Sequence, residues 1–163
     1  MQFQYRITKY DPKKRDKNGY YLPNEWTSFT DIGKTFGTSI LSEQEYHIVE
    51  NAYISAAFAF FREAEIHKLT LVGVENPGNI QVSRPDLRSG SICDLGDAEN
   101  LFRMVLREQL WCKFEWQRQA YLHFGWDFYM YIGVHRSCPK SIYYAAGQGL
   151  FVEPFVSPYL EHA

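Results

Sequence analysis

Ala120-Tyr-Leu-His-Phe-Gly-Trp-Asp-Phe-Tyr-Met-Tyr-Ile-Gly-Val134 gathers six Phe, Tyr and Trp residues and one histidine around a single formal charge. Phe128, Met130, Ile132 and Val134 alternate with Tyr129, Tyr131 and Gly133, the two-residue period of a strand with one aliphatic and one tyrosine-rich face. Gly125-Trp126 suits a type II′ turn, which sets Asp127 opposite Phe124 and projects Trp126 from the tip of a hairpin. A three-residue loop shifts the register and exchanges the faces. The sequence therefore leaves open which tyrosines meet solvent, and whether Trp126 anchors a partner or folds back over the core.

Working outward, Phe3, Tyr5 and Ile7 alternate with polar residues and predict an amino-terminal strand. From Asp11 to Phe36 the chain carries Pro12, Asn18-Gly19, Pro23 and Gly33, so it reads as a long loop with a short extended piece at Glu25–Phe29. Ser42-Glu-Gln-Glu45 is a capping box, and Tyr46, Val49, Tyr53, Ala56 and Phe60 recur at helical spacing, predicting a buried helix over 43–65. Lys68–Val74 reads as a strand, and residues 75–96 as a connection with one extended piece near Ile80–Val82. Asp97 is a cap for a second helix, 98–115, striped by Leu101, Val105, Trp111 and Cys112. Pro139 opens a short helix that Gly147 or Gly149 ends. Leu150–Phe155 adds a last strand or packs as a tail. With no repeat and no linker, the expectation is one domain, 1–163, of α+β class: an antiparallel or mixed sheet with two main helices packed on one face.

The composition is 45% hydrophobic and 22% charged, which is ordinary, so the 17% aromatic share is the departure. Tyrosine supplies twelve of those rings, and its amphipathic body suits surfaces that are dry when bound and wet when free. Residues 1–40 hold seven Lys/Arg against four Asp/Glu, whereas 41–163 hold ten against fifteen. A mildly acidic body argues against nucleic-acid binding, which needs a dense cationic surface. Lys13, Lys14, Arg15 and Lys17 read as a solvated loop beside the Asn18-Gly19 turn. Cys93, Cys112 and Cys138 cannot all pair and show no CxxC spacing, which with the absence of a leader-like amino terminus and of an 18-residue apolar run predicts a cytoplasmic protein that does not insert in membranes.

Neither a phosphate-cradling GxxxxGK[ST] or GxGxxG nor a GxSxG nucleophile elbow occurs. Cys112 and His123 are conceivable as a thiolate–imidazole pair, but Cys112 falls on an apolar stripe, the place of a structural cysteine. His123, His135 and Cys138 have the donor chemistry for zinc, yet His-x11-His-x2-Cys matches no compact site. No metal, no cofactor and no catalytic residue is therefore assigned. Glu108 projects on the helical wheel among Leu101, Met104, Trp111 and Cys112, predicting a half-buried carboxylate that is either ion-paired or the centre of an aromatic pocket.

Tyr5-Arg-Ile-Thr-Lys-Tyr-Asp-Pro12, Glu25-Trp-Thr-Ser28, Asp31-Ile-Gly-Lys34, Leu110-Trp-Cys-Lys113 and Phe124-Gly-Trp-Asp-Phe-Tyr-Met-Tyr-Ile-Gly133 together resemble small single-domain bacterial immunity proteins of toxin–immunity pairs. The resemblance spans most of the chain and implies no catalytic residue. It implies a non-enzymatic, cytoplasmic protein that neutralises a cognate protein toxin, such as a nuclease, by direct binding. Acidic groups steer toward a basic surface and aromatics supply affinity, which selects Trp126, Asp127 and Tyr129, then Glu25, Trp26 and Asp31, as the expected partner-binding residues. Two other readings stay open: a small enzyme or ligand-binding domain with a pocket at Glu108, and a homodimer through the tyrosine-rich sheet face.

Overall fold

A computed structural model describes residues 1–161. Strands β1 (Phe3–Thr8), β4 (Lys68–Glu75), β5 (Ile92–Asp94), β6 (Trp111–Trp116), β7 (Ala120–Phe124), β8 (Met130–Val134) and β9 (Phe151–Pro154) form one sheet in the order β5-β4-β6-β7-β8-β1-β9. Every neighbouring pair is antiparallel. A small hairpin, β2 (Thr35–Phe36) and β3 (Ser39–Ile40), stands apart from it. The fold is α+β, with α1 (Glu43–Glu63), α2 (Ala98–Leu106) and α3 (Pro139–Gly147) as its helices.

Cross-strand rows define the two sheet faces. Leu71, Phe114, Leu122, Ile132 and Tyr5 lie opposite one another, as do Phe124, Met130, Ile7 and Val152. This apolar face receives the helices: Phe102 of α2 packs on Phe114 and Phe124, Phe60 of α1 on Tyr5, and Tyr53 on Phe128. The opposite face carries the rows Glu115–Tyr121–Gly133–Gln4 and His123–Tyr131–Arg6–Glu153. It is covered by the chain's own tail, residues 155–161, whose Tyr159 ring meets Trp111, His123 and Tyr131. Tyr121 and Tyr131 are consequently buried, and the face expected to serve a homodimer is occupied by the tail.

The Ser42–Glu45 capping box forms in full, and α1 matches the predicted helix to within two residues. The second helix is corrected: it spans 98–106 rather than 98–115, and 111–116 is the sheet strand β6. Its end is a Schellman motif, in which the Glu108 N–H donates to the Val105 carbonyl and the Gln109 N–H to the Met104 carbonyl, with Glu108 left-handed at φ 58°. Asp97 precedes α2 without a side-chain capping bond. The extended piece expected at 80–82 is not a strand; the edge strand is instead β5. Between Val72 and Glu75 the β4–β6 register shifts, with Gly73 at φ 62° supplying the bulge.

The hairpin turn is also corrected. Phe124 pairs with Met130, so the connection is the five-residue loop Gly125–Tyr129, closed by a Gly125 N–H bond to the Tyr129 carbonyl. Asp127 and Phe128 are both left-handed, at φ 60° and 62°, at a cost of about 1–2 kcal/mol each. The return is burial of the Phe128 ring edge-on to Trp26, Tyr46 and Tyr53, worth roughly 1.5–3 kcal/mol before the aromatic geometry is added. Two tyrosine hydroxyls fasten the backbone: Tyr10 donates to the Asp127 carbonyl at 2.6 Å and Tyr53 to that of Phe128 at 2.9 Å.

Candidate functional site

With Phe128 drawn inward, Trp126 is left outward, 79% exposed on a loop whose neighbours are pinned. Asp127 beside it is exposed. The long amino-terminal loop folds against this hairpin tip: Tyr10 packs on Tyr129, and Trp26 on Phe128. The two groups of residues selected from the sequence thus meet at one end of the sheet.

Within that cluster the roles divide. Trp26 is half-buried against Tyr46 and Phe128, with the Lys9 ammonium 4.2 Å over its ring. Glu25 accepts from Lys9 at 3.0 Å, a partner that offsets the burial lowering the Lys9 pKa. Asp31 caps a single-turn helix, accepting the backbone N–H groups of Thr27 and Ser28 and the Lys34 ammonium. Burial alone raises its pKa, but those donors outweigh it and hold the carboxyl below its ordinary value. Tyr129 accepts a 2.8 Å bond from Arg15, so one member of the basic run is anchored rather than solvated. Trp26, Asp31 and Tyr129 therefore build the platform, and Trp126 and Asp127 stand on it.

Beside Trp126 opens a cleft of about 380 Å³ walled by Val105, Leu110, Trp111, Phe124 and Tyr159, with Glu75 and Glu108 on its lining. Glu108 is exposed at the end of α2, not half-buried on a helix as the wheel predicted. Its only side-chain partner among the described residues is the Ser28 hydroxyl at 3.2 Å, and Glu75 has no ion pair there. The carbonyl end of α2 adds negative potential at the same place. The walls come from the bulge on β4, the end of α2, the start of β6, the hairpin loop and the tail, so only the tertiary fold assembles them. No family model, curated protein or solved structure matches the chain.

Two polar clusters escaped the sequence reading. Glu50 is fully buried on α1 and is gripped by Arg107 at 2.7 and 2.8 Å, by Arg103, and by the Tyr46 hydroxyl at 3.0 Å. Burial pushes its pKa up, but the two guanidiniums and the hydroxyl overcome that and hold it low. An acidic residue on the apolar stripe of α1, with Arg103 on α2 and Arg107 four residues on at its end, was the available signal. On the other sheet face, His123 Nδ1 lies 2.8 Å from the Ser157 hydroxyl and Nε2 3.3 Å from Glu115. The connectivity is that of a serine–histidine–carboxylate triad, but Ser157 already accepts the Tyr159 N–H and both residues are buried. Burial, with the Lys113 charge nearby, lowers His123 to about 3, so the ring is neutral and serves as a bolt for the tail.

Cys112 lies on the helix-covered face and His123 on the other, which separates the imagined pair. Burial raises the Cys112 thiol to about 12 and those of Cys93 and Cys138 to about 11. His123, His135 and Cys138 do not converge: among the described residues no group of three or more His, Cys, Asp or Glu side chains could hold a metal. No helix among them is long and apolar enough to cross a membrane.

Proposed function

We propose that this chain is a protein-binding domain that docks a basic partner surface on its aromatic, acidic end, and that the partner is a bacterial toxin it neutralises as an immunity protein. The observation that carries the docking reading is Trp126, a large ring 79% exposed on a loop fixed by buried Phe128 and two tyrosine hydroxyls. The backbone that carries such a ring gives up little conformational freedom on binding, which favours an anchor over a side chain on a mobile loop. Asp127 adjoins it and Glu75 and Glu108 line the cleft beside it, and none of the three forms an ion pair among the described residues, which favours approach of a basic group. The immunity role rests on the sequence resemblance.

The test is capture of the tagged protein from its native host, run in parallel with Trp126→Ala, followed by co-expression with the recovered partner. A toxin-bearing partner should come down with the wild type, be lost by Trp126→Ala at a cost of about thirtyfold in affinity, and be harmless only beside the wild-type chain. A partner held equally by both, or one whose toxicity is unaffected, would refute the docking surface or the immunity role respectively. A cleft that reaches Glu108 also favours a small-ligand reading, since its volume falls within the range of ligand pockets.

A further inference from the structure

We infer that the cleft beside Trp126 is a guanidinium pocket, built to take one arginine side chain of the protein partner. This rests on the docking reading and adds the chemistry of its central contact. The cleft offers three things to a long cationic side chain. Val105, Leu110 and Phe124 line an apolar wall for a methylene stem. Trp111, Trp126 and Tyr159 supply aromatic faces against which a planar cation is attracted. Glu75 on β4 and Glu108 at the carbonyl end of α2, where positive charge is favoured, supply carboxylates that form no ion pair among the described residues.

The position of Glu108 supplies a test of the assignment. At the left-handed C′ position of a Schellman motif glycine is the preferred residue, and any other side chain carries strain. Glu65 ends α1 in the same conformation away from the cleft, so the bearing of Glu108 is its place: its carboxylate borders the cleft with the Ser28 hydroxyl as its one side-chain hydrogen-bond partner among the described residues. Arginine is chosen over lysine because the pocket pairs flat aromatic faces with carboxylates, which matches a planar, forked donor better than a compact, strongly hydrated ammonium. The Trp111–Tyr159 ring contact, with centroids 6.3 Å apart, braces one wall.

The experiment is a titration of the intact protein with N-acetyl-arginine amide, following the indole N–H resonances of its four tryptophans; the neutral isostere N-acetyl-citrulline amide and N-acetyl-lysine amide serve as controls. Arginine should shift Trp111 and Trp126 while Trp26 and Trp116 stay still, with citrulline at least about tenfold weaker and lysine between them. Glu75→Gln combined with Glu108→Gln should weaken arginine about tenfold or more. Glu108→Gly is the second variant, expected to melt above the wild type yet bind arginine more weakly, so that lost binding cannot be lost folding. No shift at Trp111 and Trp126, equal response to citrulline, or undiminished binding by the glutamine variant would overturn the pocket. If the partner is nevertheless captured and lost by Trp126→Ala, the docking reading stands and the guanidinium pocket alone falls.

Discussion

Gly133→Ala should destabilise the protein although alanine is the better residue for most strands. Gly133 lies between Tyr121 and Gln4 in its cross-strand row, and the Tyr121 ring lies over it to donate to the Gln4 side chain at 3.0 Å. A Cβ added at Gly133 falls 2.2 Å from one ring carbon of Tyr121 and 2.6 and 2.7 Å from two others, where carbon contacts are optimal at about 3.5–4.0 Å. The ring must move by more than about 1 Å to restore such a contact. It cannot do so cheaply: Tyr121 is fully buried, stacks on His123 at 4.6 Å, and accepts the Ser157 N–H. Overpacking of this kind costs about 3 kcal/mol. The gain from restricting the unfolded chain is about 0.4–1 kcal/mol, which leaves a net loss of about 2 kcal/mol and a fall in Tm of roughly 4–8 °C. Gly147→Ala is the matched control. A Cβ there meets nothing within 4 Å, and the residue closes α3, so the same substitution should stabilise by up to about 1 kcal/mol. Thermal melts of both variants decide the matter: if Gly133→Ala melts at or above the wild type, or the two shifts share a sign, the packing argument is wrong.

Glu50→Gln should cost about 3 kcal/mol at neutral pH, the low end for breaking a buried ion pair, because Arg103 and Arg107 keep 24% exposure; chemical denaturation measures it. The Glu50 pKa is depressed, so its contribution is present above about pH 4.5 and fades as pH falls through the lower folded value, and the gap between variant and wild type should close in acid. His123 has a folded pKa near 3 against about 6.5 unfolded, so the unfolded state binds the extra proton and stability falls as pH drops from about 6.5 toward 3. His123→Gln should flatten that limb of a Tm-versus-pH curve, and an unchanged limb would remove His123 as its cause. The three thiols, raised to about 11–12, should react with a disulfide reagent at neutral pH only after denaturation; fast modification of the native protein would contradict their burial.

Much of the fold could be read from the sequence where local chemistry and tertiary packing agree. The capping box at Ser42 and the stripe that follows placed α1, and the alternation of 130–134 placed β8, while its register and the exposure of its faces were left to the turn. Two failures of the reading fall where a left-handed residue is not glycine. Glu108 ends α2 in a conformation that gave no stop signal, and Leu110, Trp111 and Cys112 continue a helical period by coincidence, so β6 was absorbed into the helix. Asp127 and Phe128 likewise turn the chain without glycine, because the cost is met by burying Phe128 among rings from two other segments. Trp126 was legible as a hairpin tip. The cleft beside it was not, since Glu75, Glu108, Trp111 and Tyr159 are brought together only by the sheet register and the path of the tail.

The same non-local construction explains why the candidate site is suited to binding. Its two flanks are held by separate buried polar clusters, Glu50 with its arginines behind α2 and His123 with Ser157 beneath the tail. In the Glu50 cluster desolvation consumes much of the electrostatic gain, and the neutral His123–Ser157 bond contributes the modest net energy of an ordinary hydrogen bond. What each contributes is a fixed position: α2 cannot slide without uncovering Glu50, and Tyr159 cannot leave the cleft wall without straining the bond between Ser157 and His123. The end of α2 that carries Glu108 and the Tyr159 wall are therefore held in place by the fold. A surface fixed in this way would retain more of its contact energy as affinity than a mobile one of equal area.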